Sequence, residues 1–531
     1  MEICVDVIVV GNGPAGLGLS ALLSGYWPYF NGSHPDSVLE AKCNECLGTS
    51  LVEQDLQYLS EGLEGRSRNP VALLLDTLAL PNVDIGEKAP TSLHWKWNDS
   101  RSVSHLVLGV GPPGGSWNAM SKHIRSLSPA RWLELPGYSI STWYREQLDR
   151  PYGDWLCSDP IPLGDVTRYY RDYVEKMKLG ASMMSHTAVT AVERIAVPSC
   201  GGLNRSASDG SSESSDSTMG NPLSRSSDSI LSNLDPFEYS CCEGSFRIDE
   251  TLTTNFLSGD LTDCCNSIYC SPQMSAEQGK KDYCWRVHAT KTDGSDEKIE
   301  LYCKKLVLAC GVNSSPCWLG VPGESLSFVS HTFSDICTKM MSLPASSTVL
   351  IVGAGLTAAD AINFALEKQL CVIHVYHQDA SNPSLIYHKL STTKYKRYTD
   401  LFQLMKGKMT NDLYTPFSRS SIMEFKEDTT CVISDKSKAQ RSVAVDAVGI
   451  LIGSEADLDF LPQDILEELS FDARKPVSAK LNPISVHPYT FECTRVPNLY
   501  AVGSLTGDTL VRFIVGGALG VTQSLHTLKY M

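Results

Sequence analysis

The chain has 531 residues, enough for two or three domains with their own cores, and an ordinary globular composition with 42% hydrophobic and 20% charged residues. Its formal net charge of -15 leaves no basic stripe to neutralise phosphates, which argues against nucleic acid and against an anionic membrane surface as partners. No apolar run is long enough to span a bilayer, and the 18 cysteines come with no secretory signal, so a reducing, cytoplasmic setting with no transmembrane segment is expected.

In chain order, Val5-Asp6-Val7-Ile8-Val9-Val10 reads as a strand that runs into Gly11-Asn12-Gly13-Pro14-Ala15-Gly16 and then a helix. In such a turn the first glycine permits the sharp reversal and the second lets the backbone approach a pyrophosphate. The third, small position lets helix and strand pack closely. The helix N-terminus then presents free N–H groups and a positive dipole end to phosphates. Leu51 to Leu80 reads as helical from its apolar spacing. His105-Leu106-Val107-Leu108-Gly109 reads as a strand leading into Gly111-Pro112-Pro113-Gly114-Gly115-Ser116-Trp117, and Val166 to Met177 as an amphipathic, Tyr-rich helix. Residues 198–281 are dominated by Ser, Gly, Asn and Asp without apolar periodicity, and read as a flexible insert suited to phosphorylation and to protein partners.

Tyr283-Cys284-Trp285-Arg286-Val287 and Ile299 to Cys303 read as a hairpin, and Leu306-Val307-Leu308-Ala309-Cys310-Gly311 as a buried strand ending in glycine. A second strand and turn follow, Thr348-Val349-Leu350-Ile351-Val352 and Gly353-Ala354-Gly355-Leu356-Thr357-Ala358. Alanine at the third position obeys the same packing logic and is the form more usual for a phosphorylated nicotinamide. Cys371 to Tyr376 reads as the next strand, Tyr387 to Lys408 as a basic, Tyr-rich region and Ala444 to Ile452 as another strand. Asn498-Leu499-Tyr500-Ala501-Val502-Gly503 reads as a strand that leads through Asp508 into Gly516-Gly517-Ala518-Leu519-Gly520, expected to open the last helix.

Two such turns in one chain imply two dinucleotides, and so hydride traffic between a flavin and a nicotinamide. The expected fold is α/β, a two-dinucleotide-binding-domain flavoprotein with an NAD(P)H domain inserted in a Rossmann-like FAD domain. The FAD domain takes 1–197, the insert 198–281, and connecting FAD-domain strands 282–345. The NAD(P)H domain takes 346–440, and 441–531 returns to complete the FAD site. FAD is expected on Gly11, Asn12, Gly13, Pro14, Ala15 and Gly16. Val496 to Asp508 resembles the C-terminal flavin-contacting strand of such enzymes, which implies that Gly503 and Asp508 reach the cofactor, although Ser504 follows Gly503 where the usual pattern is Gly-Asp. NADPH is expected on Gly353, Gly355, Leu356, Thr357 and Ala358. Asp36 and Glu40 are, by spacing, candidates for the carboxylate that meets the flavin ribose. No Arg follows Tyr376, where His377-Gln378-Asp379 stand. Lys389, Lys394, Lys396 and Arg397 are then either the ligands of a 2′-phosphate or a solvated basic face.

Several stretches resemble motifs of flavin-containing and N-hydroxylating monooxygenases. Leu308-Ala309-Cys310-Gly311 is similar to the "ATG" strand end that joins the two domains, and Asp446 to Ser454 to the D-x-x-x-(L/F)-A-T-G-Y element. Gly114-Gly115-Ser116-Trp117 resembles a GGxW segment, which implies that Gly114, Gly115 and Trp117 lie against the flavin. Thr357-Ala358-Ala359-Asp360 resembles the S-A/G-x-D/E stretch, while His331-Thr332 matches only part of a longer histidine signature. Apart from the insert, the whole chain resembles the oxidative stress-induced growth inhibitor family. The telling segments are Tyr58 to Ser67, Val107 to Trp117, Leu133 to Gly137, Gly355 to Ala361, Val511-Arg512-Phe513 and Gly516 to Thr522. The resemblance implies a flavin monooxygenase-like fold and a role in restraining proliferation and promoting cell death, with involvement in cell division. It adds cell-division structures and mitochondria to the cytoplasm as expected locations.

As a monooxygenase the chain would use NADPH and FAD to pass one oxygen atom of O2 to a soft nucleophile, an amine, sulfide or thioether of a small molecule or a protein side chain. The cofactor carries that chemistry, so no acid–base pair is required and no catalytic residue is singled out. Two other readings stay open. Cys43-Asn44-Glu45-Cys46 is a CxxC that suits a flavin disulfide reductase. Alternatively the scaffold serves as a non-catalytic adaptor in growth regulation, with the Ser-rich insert as its docking segment. No metal is expected, because Cys241, Cys242, Cys264, Cys265 and Cys270 form no regular CxxC pairs and the histidines no ligand spacing.

Overall fold

Val7, Ile8 and Val9 are fully buried because the N-terminal strand Glu2–Val10 is covered on both faces, the reason its sequence is a continuous apolar run. The computed structural model describes residues 2–87, 89–120, 122, 124–148, 159–195, 283–393, 395–479 and 481–530. The insert at 198–281 and Lys394 therefore lie outside the described residues.

The first sheet runs, strand by strand, Met183–Met184, His105–Leu108, Glu2–Val10, Lys298–Leu308, Trp285–Lys291 and Thr187–Arg194, with Leu499–Ala501 also paired to Lys298–Leu308. Five of these strands are parallel and end side by side, Met184 pairing with Leu108. Val10 pairs with Leu108 and with Leu308, and Leu308 pairs with Ala501. The carboxyl ends of parallel strands are where such sheets place ligands. The expected hairpin is present, with Trp285 opposite Cys303. Tyr26–Phe30 stays out of this sheet and pairs with Leu93–Trp97 as a separate antiparallel ribbon, with one further bridge from Tyr29 to Ser50.

The second sheet is fully parallel in the order Val329–Ser330, Ala447–Ile450, Thr348–Val352, Cys371–Tyr376 and Tyr414–Ser418. It reaches beyond residues 346–440 on both sides. A three-stranded antiparallel sheet, Ser421–Phe425, Thr430–Ser434 and Gln440–Ala444, follows it in the chain. The first and second sheets both belong to one compact unit.

Two helical expectations are corrected. The last helix runs Val511–Tyr530, so the glycine run lies inside it and does not open it. Those glycines serve packing. A β-carbon on Gly516 would stand 2.2 Å from the Ala72 Cα, and one on Gly520 would stand 2.5 Å from the Tyr489 carbonyl oxygen. The Leu51 to Leu80 stretch is broken into a turn Leu51–Glu53 and helices Leu56–Ser60 and Pro70–Ala79, because Gly62, Gly65 and Pro70 interrupt it. The CxxC stretch, which shows no helical periodicity in sequence, forms helix Ser37–Glu45, capped by the Asp36 carboxylate accepting from the Val38 and Leu39 N–H groups. The Tyr-rich helix spans Leu163–Lys176 and buries Tyr169, Tyr170 and Tyr173.

Candidate dinucleotide sites

The first turn is locked by its neighbours. Gly11 has φ +116°, a region that favours glycine, and a β-carbon there would lie 2.4 Å from the Ala309 carbonyl oxygen. Its N–H donates to the Leu108 carbonyl at 2.7 Å. Gly13 caps helix Pro14–Leu23, with Pro14 in its first turn, and the Gly13 carbonyl accepts from the Leu17 N–H at 2.9 Å. A β-carbon on Gly16 would stand 1.9 Å from the Gly11 carbonyl oxygen, so the third position is small for the packing reason expected of it. Asn12 is buried and donates from Nδ2 to the Gly111 carbonyl at 2.8 Å, while its own carbonyl accepts from the Gly114 N–H at 2.9 Å.

Those two bonds bring the Gly114, Gly115 and Trp117 segment onto the turn. Gly115, at φ +57°, comes so close that its β-carbon would lie 2.9 Å from the Gly13 Cα. Trp117 packs edge-on against Tyr170, ring centroids 5.9 Å apart. Asn118 holds the loop by placing Nδ2 within 3.0–3.1 Å of the carbonyls of Pro112, Pro113 and Gly115, and its Oδ1 accepts from Arg171 at 2.8 Å. Sequence reading missed Asn118, although an Asn directly after a Gly-Gly-x-Trp is a signal for a side chain that ties a turn to its own backbone.

Gly503, at φ +77°, joins the same place, its absent β-carbon 3.1 Å from the Ala15 Cβ. Asp508 is buried in a different contact. Its carboxylate accepts from Ser67 Oγ at 2.6 Å and from Asn69 Nδ2 at 2.5 Å, and burial raises its pKa. Ser67 and Asn69 are partners that sequence reading did not find, since 439 or more residues separate them from Asp508.

The ribose candidates are corrected. Asp36 is spent on capping its helix, and Glu40 Oε2 accepts from the His34 N–H at 2.7 Å. On one side Glu2–Val10 is flanked by His105–Leu108, which is followed by Gly109, not by an acid. A β-carbon on Gly109 would fall 2.0 Å from the Asn12 side chain. The position that commonly carries a ribose carboxylate is therefore kept bare to seat Asn12.

The second turn repeats the first. Gly353 has φ +125°, and its β-carbon would lie 2.3 Å from the Leu451 carbonyl oxygen. Its N–H donates to the Val375 carbonyl at 3.0 Å. Its carbonyl accepts at 2.7 Å from Nε2 of His374, whose Nδ1 takes the Tyr414 hydroxyl at 2.7 Å. His374 is fully buried, and burial lowers its pKa to about 4, so the ring is neutral. Gly355 caps helix Leu356–Glu367 and has no atom within 4 Å of where its β-carbon would be. Gly355 and Thr357 are exposed, Leu356 is half-buried, and Ala358 is fully buried against the strand. The helix N-terminus thus faces open space, as an anion site requires.

The Tyr387 to Lys408 region folds over the same helix. The Tyr387 hydroxyl donates to the Gly355 carbonyl at 3.2 Å, and Arg397 pairs with Asp360 at 3.2 Å. Burial raises the Asp360 pKa to about 6 against the pull of Arg397 and the Tyr398 hydroxyl. Lys396 pairs with Asp400 at 2.6 Å, and Lys389 is exposed on the turn Ile386–Lys389. Of the basic candidates for a 2′-phosphate, Arg397 is committed to the buried Asp360, while Lys396 and Lys389 are exposed on the surface.

No protein-family model matches the chain. Among proteins of known name, oxidative stress-induced growth inhibitor 1 of Homo sapiens is 35% identical over 531 residues, covering 98% of this chain and 95% of that protein. The chain belongs to the oxidative stress-induced growth inhibitor family. Human growth inhibitor 2 is 34% identical over 99% of the chain, and the Caenorhabditis elegans homolog of the family 23% identical over 98%. This family member has the fold that its two turns predict. Solved structures similar to it include bacillithiol disulfide reductase Bdr from Staphylococcus aureus, at TM-score 0.53, and the ornithine hydroxylase PvdA from Pseudomonas aeruginosa, at 0.51. Each is 12% identical and covers 99% of both chains, so the likeness is one of fold, the two-dinucleotide-binding-domain flavoprotein fold of oxidoreductases. Among the described residues no helix is long and apolar enough to cross a membrane, and no group of three or more His, Cys, Asp or Glu is placed to hold a metal.

Proposed function

We propose that this growth-inhibitor family member is an FAD- and NADPH-dependent monooxygenase that restrains proliferation and promotes cell death under oxidative stress. The observation that carries the reading is the duplication of one device. In each turn a left-handed glycine is pressed by a strand-end carbonyl, and a helix N-terminus follows it. Packing alone does not require the bare Gly355, around which the space is open. The residues fit the groups they would hold. Gly13 leaves open space where a β-carbon would stand, its nearest atom 4.0 Å away, and the N-terminus of helix Pro14–Leu23 would face the FAD pyrophosphate. When bound, the flavin supplies electron transfer from the nicotinamide to O2 and delivery of one oxygen atom to a soft nucleophile. The chain's own part is to position and to exclude water. Asn12 and Asn118 hold the Gly114 to Trp117 loop on the first turn, and the His374–Tyr414 pair holds the second.

The disulfide reductase reading is weakened at Cys43, one of the two thiols of its CxxC, the other, Cys46, being exposed. Cys43 is buried, and burial pushes its pKa up to about 11, the opposite of what a reactive thiolate needs. The decisive experiment is the absorbance spectrum of the purified protein with and without NADPH, taken anaerobically. Flavin bands that bleach with NADPH, followed by O2-dependent reoxidation that is unchanged in Cys43→Ser, support the monooxygenase. A colourless protein that takes up no FAD removes it and leaves the adaptor. Turnover abolished by Cys43→Ser leaves the reductase.

A further inference from the structure

We propose that Arg419 is the residue that selects a 2′-phosphorylated nicotinamide dinucleotide, with Asp379 holding its side chain in place until the phosphate arrives. The inference rests on the reading of the second turn as a nicotinamide site and names the part of that site that sequence could not supply. In a doubly wound sheet the adenosine ribose lies beyond the end of the strand that follows the dinucleotide helix. That strand is Cys371–Tyr376, and Asp379 stands just past it. Its neighbour in the sheet is Tyr414–Ser418, with Tyr376 opposite Ser418. The residue after Ser418 is Arg419.

Three observations set Arg419 apart from an ordinary surface cation. Its Nε lies 3.4 Å from Asp379 Oδ2, so a guanidinium stands at the ribose end of the strand although no Arg follows Tyr376 in sequence. Its backbone is held at φ +51°, a left-handed conformation that a long side chain rarely adopts without cause. The turn is tied to the strand end, because the Ser420 N–H donates to the Tyr376 carbonyl at 3.2 Å. Asp379 is itself fixed, its Oδ1 accepting from the Ser381 N–H at 2.9 Å and from Ser381 Oγ at 2.7 Å. Lys436 adds a second positive charge near the same carboxylate.

Both partners of the pair are about half exposed, so the ion pair is weak and easily exchanged. A 2′-phosphate carries more charge than one carboxylate and accepts from the guanidinium at two edges. Exchange of Arg419 from Asp379 to the phosphate is therefore favourable. A ribose with a free 2′-hydroxyl offers Arg419 no charge and hydrogen-bonds the Asp379 carboxylate instead.

The test is calorimetric titration of the full chain with 2′,5′-ADP and with ADP, probes that need no flavin and no turnover. Wild type is expected to bind 2′,5′-ADP at least about tenfold more tightly, Arg419→Ala to bind the two about equally, and Arg419→Lys to fall between them. Asp379→Ala is expected to keep or sharpen the preference. Circular dichroism of each variant controls for folding, and ADP affinity unchanged in Arg419→Ala shows an intact site. A preference for 2′,5′-ADP that survives in Arg419→Ala overturns the assignment and leaves the nicotinamide reading standing. A wild type that prefers ADP, with the preference lost in Asp379→Ala, overturns it in favour of an unphosphorylated dinucleotide. A wild type that binds neither probe removes the nicotinamide reading and this inference together.

Discussion

The Leu451 carbonyl oxygen stands 2.3 Å from the place a β-carbon on Gly353 would occupy, and Ala309 bears on Gly11 in the same way at 2.4 Å. Each pair joins a dinucleotide turn to the end of a neighbouring parallel strand. The glycines of one turn therefore have different duties. Gly353→Ala adds a clash to left-handed strain and is expected to cost at least about 1–3 kcal/mol, read as a lower urea midpoint. Gly355→Ala has open space and an extended backbone, so stability is expected to change by less than about 0.5 kcal/mol. Its 2′,5′-ADP affinity is expected to fall by about tenfold or more, because only the approach of the ligand is lost.

His374 is the strut beneath the second turn. Replacement by Ala leaves the Gly353 carbonyl and the Tyr414 hydroxyl without a shared partner and opens a void. A loss of about 2–4 kcal/mol in urea unfolding is expected, against about 1 kcal/mol for Tyr414→Phe. Because burial lowers its pKa to about 4 from the ordinary 6.5, His374 contributes stability above pH 6.5 that is lost as pH falls toward 4. In His374→Gln that part of the acid sensitivity is expected to disappear from the pH dependence of the melting temperature.

Glu134 gives a pH dependence of opposite sign. It lines a cavity of about 430 Å³ together with Trp95, Arg131, Tyr138, Arg512 and Val515. Burial raises its pKa to about 7, partly offset by the Ile140 N–H and by Arg131. A carboxyl with a raised pKa contributes stability below pH 4.5 that is lost as pH rises through 7. Glu134→Gln is expected to stabilise the protein above pH 7, by at most about 3 kcal/mol, and to leave it unchanged near pH 4. Thermal melts at the two pH values check it.

Gly516 lets helix Val511–Tyr530 touch helix Pro70–Ala79. Gly516→Ala drives a methyl into Ala72 and is expected to cost about 1–3 kcal/mol even though alanine favours helix. A rise in melting temperature in this variant would show that the helices do not meet closely there.

What the amino-acid order determined by itself was local. An apolar run, a glycine that must adopt positive φ, and a helix that starts within a few residues are all written in one short segment. So both turns, the hairpin at 283–303 and the two-domain fold could be read from the chain. Tertiary structure decided everything that depends on which distant segments become neighbours. Glu2–Val10 is flanked by His105–Leu108 and Lys298–Leu308 rather than by Tyr26–Phe30, so the strand ahead of Asp36 and Glu40 lies outside the sheet and Gly109 follows the neighbouring strand. Asp508 went to Ser67 and Asn69, and Arg419 came to Asp379 from the next strand of the sheet. The glycines from 516 to 520 lie inside a helix, where Ala72 presses on Gly516 and Tyr489 on Gly520. Backbone conformation at a turn is imposed by the residues of the turn, whereas sheet order and helix contact are set by burial summed over the whole core, which no single stretch of sequence contains.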